Sequence, residues 1–94
     1  MDFEFVHRLD KAKNQWNISI QGEIDIYNSS LLKDKLYELL EQEKADLYID
    51  CEGLEYIDST GLGSLVSVLK KVKQFKGNIH LSNLKPNIAK IFKI

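Results

Sequence analysis

Tyr56-Ile57-Asp58-Ser59-Thr60-Gly61-Leu62-Gly63 is the stretch on which the fold turns, because an apolar run ends there in a carboxylate, two hydroxyls and two glycines. Read forward, Leu62, Leu65, Val66, Leu69 and Val72 recur at i, i+3, i+4 and i+7, the spacing of one helix face. The segment is therefore a strand-to-helix junction. Ser59 is placed to cap the helix, since a serine oxygen accepts a hydrogen bond from an N–H of the first turn that has no intrahelical partner. The same free N–H groups and the positive end of the helix dipole also suit a phosphate. Cap and modification site are both open readings of one geometry.

Upstream, Leu47, Ile49 and Cys51 alternate with Tyr48 and Asp50, a strand that Glu52-Gly53-Leu54-Glu55 links to the junction. Before it, Asn28-Ser29-Ser30 precede Leu32, Leu36, Leu39 and Leu40 at helical spacing, and Tyr27 is positioned to pack on Leu32 as a hydrophobic staple. Trp16, Ile18, Ile20, Gly22, Ile24 and Ile26 occupy every even position of a longer strand with one buried face. Phe3 and Phe5 begin a partner strand, with Lys11-Ala12-Lys13-Asn14-Gln15 as the hairpin connection. Downstream, the helix runs to Phe75 and closes at Gly77. Ile79 and Leu81 make a short strand, and Pro86 opens a last helix bearing Ile88, Ile91 and Phe92.

The order β-β-α-β-α-β-α is an α/β class with a mixed four-stranded sheet, antiparallel at the opening hairpin and parallel where helices cross over. The long strand is apolar on one face only, so the helices are expected mainly on one side of the sheet. Residues 1–94 read as a single domain. Ile91, Phe92 and Ile94 keep the chain apolar to its last residue, so the domain reads as shortened at the C-terminus.

A chain of 94 residues, 44% hydrophobic and 29% charged, is ordinary globular composition. With 13 basic and 14 acidic residues the net charge is −1, which offers nucleic acid no electrostatic footprint. The lone Cys51 cannot form an internal disulfide and reads as a small buried hydrophobe, suited to a reducing compartment. The N-terminus lacks the pattern of a signal peptide and no segment has the ~20 apolar residues of a membrane span, so the expected location is the cytoplasm.

Catalytic chemistry finds little support. There is no Gly-rich phosphate loop, so no nucleotide cofactor is expected, and His7 and His80 have no companions at metal-ligand spacing. A Ser-His-Asp hydrolase lacks its GxSxG elbow. A receiver domain phosphorylated at Asp50, read as a strand-end residue, lacks the acidic cluster and late lysine that such chemistry requires. What remains is Glu23, Asp25, Asp58, Ser59 and Thr60: if Asp25 and Asp58 close strands at one end of the sheet, an acidic rim surrounds a hydroxyl.

Gly22-Glu23-Ile24-Asp25 after an alternating strand, with Asp58-Ser59-Thr60-Gly61-Leu62-Gly63 opening a helix, resembles the signature regions of anti-sigma factor antagonists, members of the STAS domain family. The resemblance implies a binding module and substrate, not an enzyme. An anti-sigma factor of the serine-kinase type would phosphorylate Ser59, a serine phosphatase would reverse it, and only the unphosphorylated form would bind the anti-sigma factor and free the sigma factor. It also implies that Asp25, Asp58, Thr60, Gly61, Leu62 and Gly63 line the partner surface. Family members usually continue through a further strand and helix. The alternative within the same family is a stand-alone scaffold or small-ligand-binding module without a kinase cycle.

Overall fold

The computed structural model describes residues 2–92 as β1 (Phe3–Asp10), β2 (Gln15–Ile24), α1 (Ser29–Gln42), β3 (Asp46–Ile57), α2 (Ser59–Lys73), β4 (Ile79–Ser82) and α3 (Pro86–Phe92). Ile94 of the expected apolar tail lies outside the described residues. The sheet order is β1-β2-β3-β4, with β1 antiparallel to β2 and the two other pairings parallel. This is the expected mixed sheet. The hairpin forms because Asn14 accepts a left-handed φ of 52°, a conformation asparagine tolerates, and Asp10 Oδ1 receives the N–H of Lys13 at 3.1 Å.

Period-two patterning decides which face is covered. Ile18, Ile20, Leu47 and Ile49 point to the helix side and are buried with Leu32 and Leu36 of α1 and Val68 and Val72 of α2. Each such side chain contributes roughly 1.5–3 kcal/mol relative to exposure. Trp16 joins them, and its indole N–H donates to the Glu43 carbonyl at 3.0 Å, fastening the end of α1 to the start of β2. The other face carries polar residues such as Asn17, Ser19 and Asp50, with Tyr48 stacked on His80 at 4.1 Å. All three helices therefore answer to one apolar face.

Five local expectations are corrected. β2 ends at Ile24, after the pairing slips on both sides of Gly22, whose φ is 106°; Ile26 consequently leaves the strand and is exposed. Tyr27 is exposed and does not staple onto Leu32. β3 continues to Ile57, so Asp50 lies mid-strand on the open face, not at a strand end. The buried stripe of α2 is Gly61, Ser64, Leu65, Val68 and Val72, while Val66 is exposed and Leu62 and Leu69 are half-buried. Small residues face the sheet where helix and strand approach most closely, and counting only large apolar residues rotated the expected face. At the helix end Lys76, with φ 64°, takes the left-handed position expected of Gly77, and Gly77 donates its N–H to Val72.

Candidate functional site

Parallel pairing brings the ends of β2 and β3 together, and the Asp58 N–H donates to the Ile24 carbonyl at 3.3 Å. The loop after β2 and the start of α2 thus share one end of the sheet, where Asp25 and Asp58 were expected to meet. Asp58, not Ser59, is the N-cap. Its Oδ1 accepts the N–H groups of Thr60 at 3.0 Å and Gly61 at 3.1 Å, and the Thr60 hydroxyl donates to the same oxygen. Aspartate caps as well as serine does and reaches the second and third N–H groups of the helix. Ser59 becomes the first helical residue, exposed, and its hydroxyl makes no hydrogen bond among the described residues. The two hydroxyls that looked alike in sequence are distinguished: Thr60 is engaged and Ser59 is free.

The Thr60 hydroxyl, followed by the Gly61 N–H, holds the Asp58 carboxyl below the usual carboxylate range. A depressed folded-state pKa adds stability that is present above the ordinary carboxylate pKa of about 4 and is lost as pH falls through the lowered value. The stability gap between wild type and Asp58→Ala, followed by thermal melts, is therefore expected to be level near neutrality and to narrow on acidification. A gap that widens in acid would contradict the cap.

Asp25 lies at the expected end of the sheet, but it is buried and its carboxylate turns into the loop. Oδ1 accepts the N–H groups of Tyr27 at 2.9 Å and Asn28 at 3.2 Å, while Asn28 Oδ1 accepts the Asp25 N–H at 2.8 Å and Asn28 Nδ2 donates to the Glu23 carbonyl at 2.9 Å. Asn28 precedes α1 without a side-chain cap bond to it, because its amide serves this reciprocal brace. Sequence reasoning missed the role of Asn28 and the exposure of Ile26 and Tyr27. The available signal was the Asp25-x-x-Asn28 spacing, which suits two side chains that bond each other's backbone across a turn.

Gly61 and Gly63 differ as sharply as the hydroxyls. A Cβ at Gly61 would lie 2.6 Å from Ile57 Cγ1 and 2.8 Å from Ile24 Cγ2, whereas one at Gly63 would meet nothing within 4 Å. Gly61 lets α2 seat on the sheet; Gly63 leaves the outer surface low. Ser59, Gly63 and Val66 are exposed at i, i+4 and i+7 and form one solvent-facing ridge. Leu62 borders a shallow groove of about 150 Å³ shared with Val66, Leu69, Ile79, Leu81 and Phe92.

Other chemistry is not assembled around Ser59. His80 stacks on Tyr48 and lies 3.9 Å from Asp46, and His7 meets the Trp16 ring edge-on at 5.8 Å, so neither partners the serine. Asp50 is held below the ordinary carboxylate range by the Asn83 side chain and the Glu52 N–H. The Cys51 thiol is pushed up to about 11, first by burial and then by the neighbouring Asp50 charge, which keeps it protonated and inert. Among the described residues no group of three or more His, Cys, Asp or Glu is placed to hold a metal ion, and no helix is long and apolar enough to cross a membrane.

Comparison with known proteins places these features in context. The sequence signature of the STAS domain matches residues 8–94. The anti-sigma-B factor antagonist of Bacillus subtilis (strain 168) is 42% identical over 86 residues, spanning 92% of this chain and 78% of that protein. An anti-sigma-B factor antagonist of Staphylococcus aureus is 29% identical over 79 residues, 84% of this chain and 73% of its own. Among solved structures, SpoIIAA in its unphosphorylated form superposes with a TM-score of 0.76 at 21% identity, covering 96% of this chain and 82% of the other. The Bacillus cell fate determinant SpoIIAA in its phosphorylated form gives 0.74 at 22%, covering 96% and 81%.

Proposed function

The chain belongs to the STAS domain family, and on that premise we propose that it is an anti-sigma factor antagonist switched by phosphorylation of Ser59. The observation that carries this reading is the division of labour at the start of α2. Asp58 supplies the capping oxygen and engages Thr60, while Ser59 stands exposed with an unbonded hydroxyl. The unphosphorylated domain binds a serine-kinase anti-sigma factor, releasing the sigma factor. In the modifying step Ser59 Oγ attacks the γ-phosphorus of ATP held by that partner, the bond to the bridging oxygen breaks, ADP leaves, and the hydroxyl proton passes to a base of the kinase. A serine phosphatase hydrolyses the phosphoester and restores the hydroxyl. The chain is substrate and ligand in this cycle, and the cycle runs in the cytoplasm.

The contact surface comprises the ridge from Ser59 through Gly63, with Leu62 beside it and Thr60 held against Asp58. Asp58 adds a fixed negative charge, Gly61 sets the helix close to the sheet, and Asp25 contributes by bracing the adjoining loop. Phosphate brings about −1.5 to −2 charges to the first turn of α2, next to Asp58 and facing the partner's nucleotide phosphates. Repulsion and the cost of desolvating that group fall on the complex, while the helix N-terminus tolerates the anion within the domain. Incubation with the cognate anti-sigma factor and ATP, followed by mass spectrometry, tests the reading. Phosphate is expected on Ser59 of the wild type and of Thr60→Val, and on no residue of Ser59→Ala; modification that persists in Ser59→Ala would sink it.

A further inference from the structure

β1 is an outer strand of the sheet, so one side of its backbone has no neighbouring strand among the described residues. One bond fixes which groups face outward. The Asp2 carbonyl receives the Glu23 N–H, and backbone groups alternate in direction along a strand, so Glu4, Val6 and Arg8 aim theirs at β2 while Phe3, Phe5, His7 and Leu9 aim theirs away from it. Proteins usually blunt such an edge with a proline, a bulge, a lysine or a very short strand. β4, the opposite edge, is four residues long. β1 runs for eight, pairs with β2 in one unbroken register and contains neither proline nor lysine.

Its sequence is close to a palindrome in kind. About Val6, Phe5 is mirrored by His7, Phe3 by Leu9, and Glu4 by Arg8, a charge of opposite sign. Val6 is 64% exposed on the open face of the sheet, and the Glu4 and Arg8 side chains make no ion pair or hydrogen bond among the described residues. Two antiparallel copies of β1 centred on Val6 place Glu4 of each opposite Arg8 of the other and Val6 opposite Val6, all on the open face. The same register sets Phe5 opposite His7 and Phe3 opposite Leu9 on the helix face, and these are the residues whose N–H and C=O groups point outward. Asp2 meets Asp10 of the other copy only at the ends of the ladder, where Asp10 already receives the Lys13 N–H. Lys35 of α1 reaches over the Phe5 ring, Nζ 5.8 Å from its centroid, so it stands on the helix side and leaves the backbone edge open. Because Phe5 faces His7 of the other copy, the two Lys35 charges are staggered along the joint.

We propose that the β1 edge is an interface with a second copy of this chain, in which two sheets join through antiparallel β1 strands about a two-fold axis at Val6. Hydrogen bonds between the strands supply the attraction, and the Glu4 and Arg8 pairs select the register. The axis is perpendicular to the sheet, so the helices of both copies lie on one side of a continuous sheet with four strands from each. One strand pair is a small interface, which makes the dimer reversible and concentration-dependent. This interface asks nothing of Ser59 and is independent of the function proposed above.

Sedimentation equilibrium of the full chain over a concentration series, combined with cysteine cross-linking, tests it. The wild type is expected to dimerise. In Val6→Cys the two thiols face each other across a non-hydrogen-bonded pair with Cα atoms about 4.5 Å apart, within the span of a disulfide, so an oxidant is expected to link the copies. Arg8→Cys faces Glu4 instead and is expected to link no faster than the wild type, whose Cys51 is buried. Glu4→Arg and Arg8→Glu, each of which sets like charges opposite one another twice by symmetry, are expected to weaken dimerisation about tenfold, and the double variant is expected to restore it. Thermal melts matching wild type show that these exposed substitutions leave the fold intact. A wild type that stays monomeric up to about 1 mM overturns the interface. A dimer that Val6→Cys does not link and the charge reversals do not weaken forms on another surface and also overturns it, as does a double variant no tighter than the single ones.

Discussion

Phosphorylation of Ser59 is expected to weaken binding to the anti-sigma factor more than a hundredfold, a loss of about 3 kcal/mol, while leaving the domain's stability within about 0.5 kcal/mol. The affinity loss follows from placing a doubly charged group at the centre of a contact that already contains Asp58. The unchanged stability follows from the cap: Ser59 makes no hydrogen bond that phosphate could break, and the bonds from Thr60 and Gly61 belong to Asp58. Calorimetric titration of both forms, with urea unfolding of each alone, separates the two quantities. Equal affinity would contradict the switch, and a phosphorylated form that unfolds much earlier would show that release works through the fold.

Gly61→Val is expected to destabilise the domain by about 2–3 kcal/mol, near the upper end for overpacking a core. The new Cβ alone would fall inside contact distance of Ile57 and Ile24, and two further methyls would press the same buried side chains. The backbone carries α2, so relief by shifting the helix would disturb the Asp58 cap and the bond to Ile24. Gly63→Ala is expected to do the reverse. With open space around it, the substitution gains up to about 1 kcal/mol of helix propensity, yet it raises the ridge between Ser59 and Val66 and lowers partner affinity. Urea midpoints and binding constants measured on both variants check the contrast. Two glycines two residues apart would then have opposite signs in stability.

The element order was legible because the buried faces of the strands and of α1 are written in large residues. Trp16 to Ile24 alternate strictly, and Leu32, Leu36, Leu39 and Leu40 leave no doubt about a helix. The face of α2 was harder, since its contacts with the sheet are made by Gly61 and Ser64, whose size, not hydrophobicity, qualifies them. At the junction, Asp58 and Ser59 are both good caps, and only backbone geometry assigns the role to one of them. Asp25 shows the same limit: its place at the strand end was readable, while the inward turn of its carboxylate depends on Asn28 three residues later. Ile26 extended the strand's alternation by one step too many because Gly22 interrupts the pairing in a way that parity alone does not reveal.

That Asp58 rather than Ser59 caps α2 has a consequence for how the protein counts in a cell. Degradation commonly tracks the population of opened molecules, which is set by stability. A switch whose two states open equally often leaves the size of the pool independent of its setting. In the cycle proposed for Ser59, kinase and phosphatase would divide a constant number of molecules between two readings, and the signal would be a ratio that turnover does not distort.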